Sequence, residues 1–196
     1  YKELPNMPYL LISVDATFKD KEDNDFVAIQ VWGKRNADYY LIERIKEHLD
    51  FPNTLVCIRH LKKKYPLASA VLIEDKANGS AIIQTLQKEF SGVIPVNPEG
   101  GKVARANAVA PSVESGNVYL PENKDWLFDY LNELTSFPNA EHDDEVDCTT
   151  QALNRLRIIT AREISEEQKQ LNEYNKKKYR DRVLTLAGQN ATRDFI

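Results

Sequence analysis

The sequence predicts an α/β domain whose mixed sheet begins as a three-strand antiparallel meander, continues in parallel strands and is flanked by helices. Three segments with strand-type patterns precede the first helical pattern, and short apolar strands then alternate with helices. The link at 34–37 is short and polar, which is typical of a hairpin. A helix precedes the fourth strand, which favours parallel pairing of that strand with the first.

The hydrophobic period locates the individual elements. Alternating or wholly apolar runs predict the strands, at 8–16, 26–33, 38–44, 70–74 and 92–96, with a brief sixth at 117–120. Apolar residues spaced by three or four predict the helices, at 52–64, 80–90, from 102 to at least 108, around 126–134 and from about 143 onward. A polar loop is expected at 19–25.

Length and charge indicate one folded body with an appendage. The chain has 196 residues, enough for a full core, and a net charge of −4. Residues 155–182 hold nine Lys and Arg against five Asp and Glu, a net +4, so the remainder carries −8. We therefore predict one α/β domain at 1–164 and a charged helical extension at 165–196. An acidic body does not resemble a simple DNA-binding domain, whose surface would be basic.

Several classes of site are excluded by missing motifs. No apolar run is long enough to span a bilayer, so no membrane partner is expected. Cys57 and Cys148 form no CxxC pair, which disfavours a thiolate zinc site. The Gly100-Gly101-Lys102 run lacks the further Gly and the Ser or Thr of a phosphate-binding loop.

Three acidic clusters, far apart in the chain, end up at one edge of the predicted sheet. Asp15 ends the apolar first strand, and Glu74-Asp75 ends the fourth. If those strands are parallel neighbours, their acids emerge together at the carboxyl edge, where ligand sites of open α/β sheets lie. The run 143–147 opens a helix, and its acids share a face at spacings of three or four. Carboxylates are the ligands that Mg²⁺ and Mn²⁺ prefer.

Each cluster also has an explanation that needs no metal. Asp15 could pair with a nearby lysine, and Glu74-Asp75 could belong to a turn before Asn78-Gly79. The acids of 143–147 could simply stabilise a helix N-terminus. His142, beside that run, is a candidate ligand or proton shuttle, although a plain surface role is also open.

The motifs around these acids resemble those of one family. Ser13-Val14-Asp15, the run Ile73-Glu74-Asp75-Lys76-Ala77-Asn78-Gly79, Lys102-Val103-Ala104-Arg105 and His142-Asp143-Asp144-Glu145-Val146-Asp147 are similar to segments of the C-terminal nuclease domain of the large terminase subunit of tailed bacteriophages. The resemblance covers roughly residues 9 to 157. It implies a ribonuclease H-like fold, which agrees with the strand order predicted from the residues.

The same resemblance implies a function and partners. The expected activity is a metal-dependent endonuclease that cuts concatemeric viral DNA during genome packaging, with two Mg²⁺ or Mn²⁺ ions. Double-stranded DNA would be the substrate. The portal or procapsid and the small terminase subunit would be partners of the full-length protein, in the cytoplasm of the host cell.

The resemblance also assigns residues. Asp15 matches the first catalytic acid, Glu74 the second and Asp144 the third, all three being metal ligands, and Asp147 matches a further metal ligand of some members. The Asp143-Asp144 pair aligns either way. Helical geometry favours Asp144 for the metal and Asp143 for capping the helix, at the first turn.

Two other functions remain open from the sequence. A Holliday-junction resolvase or transposase-type nuclease would use the same fold and chemistry on differently shaped DNA. A non-catalytic docking module would carry the acids on its surface and bind a partner through 155–182.

Overall fold

The structure, a computed structural model, describes residues 1–16, 26–76 and 79–191, with side chains described up to Arg182. The predicted loop at 19–25 and Asn78 of the predicted turn lie outside the described residues. Within them the strands are β1 Tyr9–Ala16, β2 Val27–Arg35, β3 Asp38–Glu47, β4 Ala68–Glu74, β5 Val93–Val96 and β6 Val118–Tyr119. The helices are α1 Phe51–Lys64, α2 Gly79–Leu86, α3 Lys102–Glu114, α4 Leu127–Ser136, α5 Asp144–Ile158 and α6 Ala161–Ala191.

These strands form one sheet in the order β5-β4-β1-β2-β3-β6. The pairs β1·β2 and β2·β3 are antiparallel, which confirms the predicted meander. Strand β4 lies parallel to β1, and β5 lies parallel to β4, as the helical crossovers predicted. The short β6 pairs parallel with β3 at the opposite edge, a position that the sequence did not indicate.

Side-chain alternation along β1 divides the core into two layers. Leu10, Ile12 and Val14 face the cluster that α1 and α2 cover. Tyr9 and Leu11 face the second cluster, where α4 and α5 pack. Successive strand residues point to opposite faces, so Ser13 and Asp15 share the α5 side. The Ser13 hydroxyl confirms this direction, because it donates to the Cys148 carbonyl of α5 at 2.8 Å.

Local sequence explains most helix boundaries. Helix α1 begins where the Asp50 carboxylate accepts the Asn53 N–H at 2.8 Å and Pro52 occupies the first turn. Helix α2 is shorter than predicted and ends at Leu86, so Phe90 lies beyond it. Helix α3 extends past the predicted 108 to Glu114, with Pro111 inside it. Leu131, predicted to face inward, is 40% exposed.

Helix α6 crosses the predicted boundary at 164 without a break. Its Glu167 carboxylate accepts the Tyr9 hydroxyl at 2.7 Å and pairs with Arg155, and its Leu171 is buried. The division into 1–164 and 165–196 therefore stays a prediction, with contacts crossing it. In the part of the chain that the structure describes, no helix combines the length and the apolar character that a membrane crossing needs.

Candidate active site

The first two predicted acids lie side by side at the carboxyl ends of β1 and β4. The parallel register pairs Val14 with Ile73, so the next residues along the two strands are Asp15 and Glu74. On β4, Leu72 faces the α5 side, and Glu74 shares that side by the two-residue period. Asp15 is 7% exposed and Glu74 is half-buried. The sheet therefore presents two carboxylates to the helix above it.

Glycine at position 79 lets α2 start directly against the end of β4. A Cβ on Gly79 would lie 1.9 Å from the Glu74 carbonyl oxygen, so any side chain there would displace the backbone that carries Glu74. The neighbouring Asp75 carboxylate accepts the Ser80 hydroxyl at 2.6 Å. Asp75 is thus engaged with α2, and Glu74 is the acid of this pair that faces the site.

Helix α5 brings Asp144 and Asp147 to the same place. A cavity of about 420 Å³ opens between this helix, the ends of β1 and β4 and the start of α3. All four predicted site residues line it, namely Asp15, Glu74, Asp144 and Asp147. Its remaining lining is largely charged or polar and comprises Lys76, Gly100, Gly101, Lys102, Arg105, Glu141, His142 and Asp143. We call it the acidic cavity.

Basic side chains of α3 neutralise part of this negative charge. Lys102 Nζ lies 2.7 Å from Asp143 Oδ2 and 2.8 Å from Asp147 Oδ2. Arg105 donates to Asp147 Oδ1 at 2.6 Å. Both residues belong to the Lys102–Arg105 motif, and their spacing of three along α3 was the signal that they share a face.

The capping role predicted for Asp143 is wrong. Asp143 occupies the N-cap position of α5, but its side chain makes no capping hydrogen bond. Its carboxylate turns instead to the Lys102 ammonium, with both oxygens at 2.7 Å. A full ionic partner on α3 competes successfully with the helix's own N–H groups.

Asp144 is the acid most affected by its surroundings. Burial raises the pKa of its carboxyl to about 6, with the nearby charges of Glu133 and Asp143 adding to the rise and Lys46 opposing it. Glu74, at the other side of the cavity, pairs with Lys76 at 2.9 Å. A cation bound between these acids would relieve the repulsion that Asp144 experiences.

The donor set suits a hard divalent cation. Carboxylate oxygens from two strands and a helix are the ligands expected for Mg²⁺ or Mn²⁺. Within 1–16, 26–76 and 79–191, no three carboxylate, imidazole or thiolate groups are close enough as placed to share one ion. Binding would therefore require these carboxylates to move closer together, with Lys76, Lys102 and Arg105 giving up contacts that they now make with Glu74 and Asp147.

A second cavity, of about 430 Å³, adjoins the acidic one. Asp15, Glu74, Arg105 and Asp147 line both cavities. Its far side is mostly apolar and lies between β4, β5, α3 and α5, with lining residues that include Leu72, Ile94, Val96, Ala104, Ala108 and Ile158. The four shared residues thus form the border between a charged space and a largely apolar one.

Two ion pairs behind Asp144 were not predicted from the sequence. The Glu145 carboxylate is fully buried and accepts two Arg44 N–H groups, at 2.5 and 3.0 Å. The Glu133 carboxylate pairs with Lys46 at 2.5 Å. Glu133 lies one helical turn from the buried Tyr130 on α4, and that spacing was the available signal.

The histidines have modest roles in the described geometry. His142 lines the acidic cavity and meets the Phe26 ring edge-on at 5.0 Å between centroids. His48 stacks on the same ring at 3.8 Å and lies after β3, outside any helix. A role for His142 as ligand or proton shuttle stays a prediction.

Comparison with known families decides the ancestry of this arrangement. The family model described as "Terminase RNaseH-like domain" matches residues 12–156, about the range over which the motifs resemble terminases. This chain belongs to the terminase RNaseH-like domain family. The match spans both strands that carry Asp15 and Glu74 and nearly all of α5. A comparison with curated protein sequences gave no match.

Solved structures of terminases share the fold of this terminase RNaseH-like domain. The large terminase nuclease from thermophilic phage G20c with bound zinc aligns at TM-score 0.59 and 21% identity, covering 75% of this chain and 81% of that one. The human cytomegalovirus terminase nuclease domain, manganese-soaked and inhibitor-bound, aligns at 0.55 and 13%, covering 76% and 83%. The large terminase of a second thermophilic bacteriophage aligns at 0.63 and 14%, covering 80% of this chain and 41% of that one. The terminase RNaseH-like domain thus spans about two-fifths of that third protein.

The raised pKa of Asp144 predicts a pH-dependent stability in metal-free buffer. Between the ordinary value of 3.8 and about 6, the folded protein retains a proton that the unfolded chain has released. Its contribution to stability is therefore present at low pH and is lost as pH rises through that window. Thermal midpoints measured with chelator across the window should fall more steeply in the unchanged protein than in Asp144→Asn. Equal slopes in the two proteins would contradict this role of Asp144.

Proposed function

We propose that the chain is a metal-dependent DNA endonuclease that cuts concatemeric viral DNA during genome packaging. The observation that carries the proposal is the meeting of Asp15, Glu74, Asp144 and Asp147 at one cavity in a terminase RNaseH-like domain. The metal ions named in the phage G20c and cytomegalovirus structures support the use of divalent cations. Two Mg²⁺ or Mn²⁺ ions are the proposed cofactors.

Each acid has a proposed task at the site. Asp15, Glu74 and Asp144 would hold the ions, with Asp15 between the other two because it lies on the central strand. Bound there, the ions would supply an activated water and stabilise the charge that develops on the phosphate. Asp147 would be an additional ligand, once its bonds to Lys102 and Arg105 are exchanged. The two basic side chains would keep Asp143 and Asp147 neutralised until then.

In the full-length protein the proposed setting is a packaging complex. The substrate would be double-stranded DNA, and the partners would be the portal or procapsid and the small terminase subunit, in the host cytoplasm. The terminase names of the structural neighbours support this setting.

Nicking of supercoiled plasmid tests the activity directly. We expect conversion to nicked and linear DNA with Mn²⁺ or Mg²⁺, and none with a chelator. Chelator-resistant cutting, or no cutting with either ion, would contradict the proposal and favour a docking module. A clear preference for branched over linear DNA would favour a resolvase.

Asp144 and Asp143 are expected to differ sharply when each is replaced by alanine. Asp144→Ala should lose essentially all nicking, because it removes a proposed metal ligand. Asp143→Ala should keep most activity and change the free energy of unfolding by less than about 1 kcal/mol, since it removes only a partly exposed ion pair. Nicking rates and thermal midpoints of the two variants measure this. An inactive Asp143→Ala beside an active Asp144→Ala would shift the ligand assignment by one residue.

A further inference from the structure

The first turn of α5 lacks the local cap that its sequence offers. An α-helix starts with backbone N–H groups that have no partner within the helix. Asp143 leaves them for Lys102, so a different acceptor is needed. That acceptor comes from α4: Glu133 Oε1 accepts the Glu145 N–H at 2.7 Å, in a buried setting. The cap of this helix is thus a tertiary contact.

Glu133 is itself held in place from the sheet. Its other carboxylate oxygen, Oε2, bonds to Lys46 Nζ on β3 at 2.5 Å, and the side chains of the pair are 7% and 11% exposed. Lys46 also lies over the Phe26 ring, 4.5 Å from its centroid. The carboxylate therefore links β3 to the start of α5 with one oxygen for each.

The residue that receives this bond is fixed at two further atoms. The Glu145 carbonyl accepts Gln30 Nε2 at 3.3 Å, and the Glu145 carboxylate is held by Arg44. Its backbone N–H, carbonyl and side chain thus each bond to another element. Asp144 immediately precedes Glu145, so its direction into the acidic cavity depends on where Glu145 is held.

We propose that Glu133 is a positioning residue for the metal site, because its hydrogen bond to the Glu145 N–H sets where Asp144 projects into the acidic cavity. This role rests on the proposed function. Residues that orient metal ligands through such contacts are as much part of a metal site as the ligands. Glu133 itself does not line the acidic cavity.

A crossed pair of substitutions separates the hydrogen bond from the charge. Glu133→Gln keeps the length of the side chain and an acceptor oxygen for the Glu145 N–H, but removes the charge. Glu133→Asp keeps the charge but withdraws the acceptor by one methylene. We expect Glu133→Asp to raise the Mn²⁺ concentration for half-maximal nicking about 10–100-fold, the usual effect of losing an outer partner of a ligand. Glu133→Gln should resemble the unchanged protein.

The control is the same shortening at another helix start. On α6, the Glu163 carboxylate accepts the Thr160 N–H at 2.8 Å, far in sequence from the site acids. Glu163→Asp should lower the thermal midpoint and leave the Mn²⁺ dependence unchanged. Direct Mn²⁺ binding, followed by the loss of the free-ion paramagnetic resonance signal, should show the same order among the variants as nicking does.

The outcomes are distinct. An unchanged Mn²⁺ dependence in Glu133→Asp, with only a lower thermal midpoint, would overturn the positioning role. So would Glu133→Gln impaired as strongly as Glu133→Asp, because charge would then matter and not the bond. Absence of both Mn²⁺ binding and nicking in the unchanged protein would reject the proposed function, and the positioning role with it.

Discussion

Replacing Asp15 with asparagine should abolish nicking while the fold stays intact. The amide has nearly the size of the carboxylate, so the end of β1 keeps its packing. The charge that would attract two cations is lost at the position between Glu74 and the α5 acids. We expect the rate to fall by on the order of a thousandfold or more, beyond the 10–100-fold typical of residues that only support ligands. The measurement is plasmid nicking at saturating Mn²⁺, with a thermal midpoint taken in chelator.

A matched substitution outside the cavity controls for charge alone. Asp129 is exposed on α4 and does not line the acidic cavity, so Asp129→Asn should nick at the rate of the unchanged protein. Substantial activity in Asp15→Asn at saturating Mn²⁺ would remove Asp15 from the proposed metal site. A large drop of its thermal midpoint would show that the change acts through folding.

The largest stability effect is expected at Glu145. Glu145→Ala leaves the Arg44 guanidinium, whose side chain is 12% exposed, without the carboxylate that pairs with it. Breaking a buried ion pair by removing one partner costs about 3–5 kcal/mol, because the remaining charge stays desolvated. Chemical denaturation should show this loss in the free energy of unfolding. The double variant Arg44→Ala with Glu145→Ala should lose less than the sum of the two single changes.

An exposed pair with the same geometry provides the comparison. Arg59 also donates two N–H groups to one carboxylate, that of Glu89, at 2.8 and 2.6 Å. Its side chains are 42% and 35% exposed, so solvent screens the pair. Glu89→Ala should therefore cost no more than about 1 kcal/mol. Similar losses for Glu89→Ala and Glu145→Ala would mean that burial of the Arg44–Glu145 pair contributes little.

Much of the fold was predictable because its determinants are local. The apolar runs of β1 and β4 and the helix between them specify a parallel pair, and the short link at 34–37 specifies a hairpin. The turn conformation supports this, since Asn36 adopts a positive φ of 57°, which asparagine tolerates better than most residues. The position of β6 beside β3 was not predictable, because two residues carry too little pattern to select an edge.

The placement of the site acids followed from the same local rules. Asp15 and Glu74 end two parallel neighbours, and the two-residue period puts both on the α5 side. Their ligand roles stay predictions. What the sequence could not show is which distant partner each charged residue selects. Lys102 and Asp143 are 41 residues apart, and Glu133 and Lys46 are 87 apart, so the failure of the local cap at Asp143 depends on folded geometry.

Helix α6 crosses the end of the sheet that faces away from the acids. Glu167 bonds to Tyr9 at the start of β1, and Leu171 lies with Ser69 and Val93, at the starts of β4 and β5, around one pocket. Asp15 lies six residues farther along β1, a span of about 20 Å. For single-molecule or surface-bound assays, the exposed Tyr179 on this helix is therefore a suitable attachment point. A protein tethered there would present the acidic cavity toward solution, where long DNA can reach it.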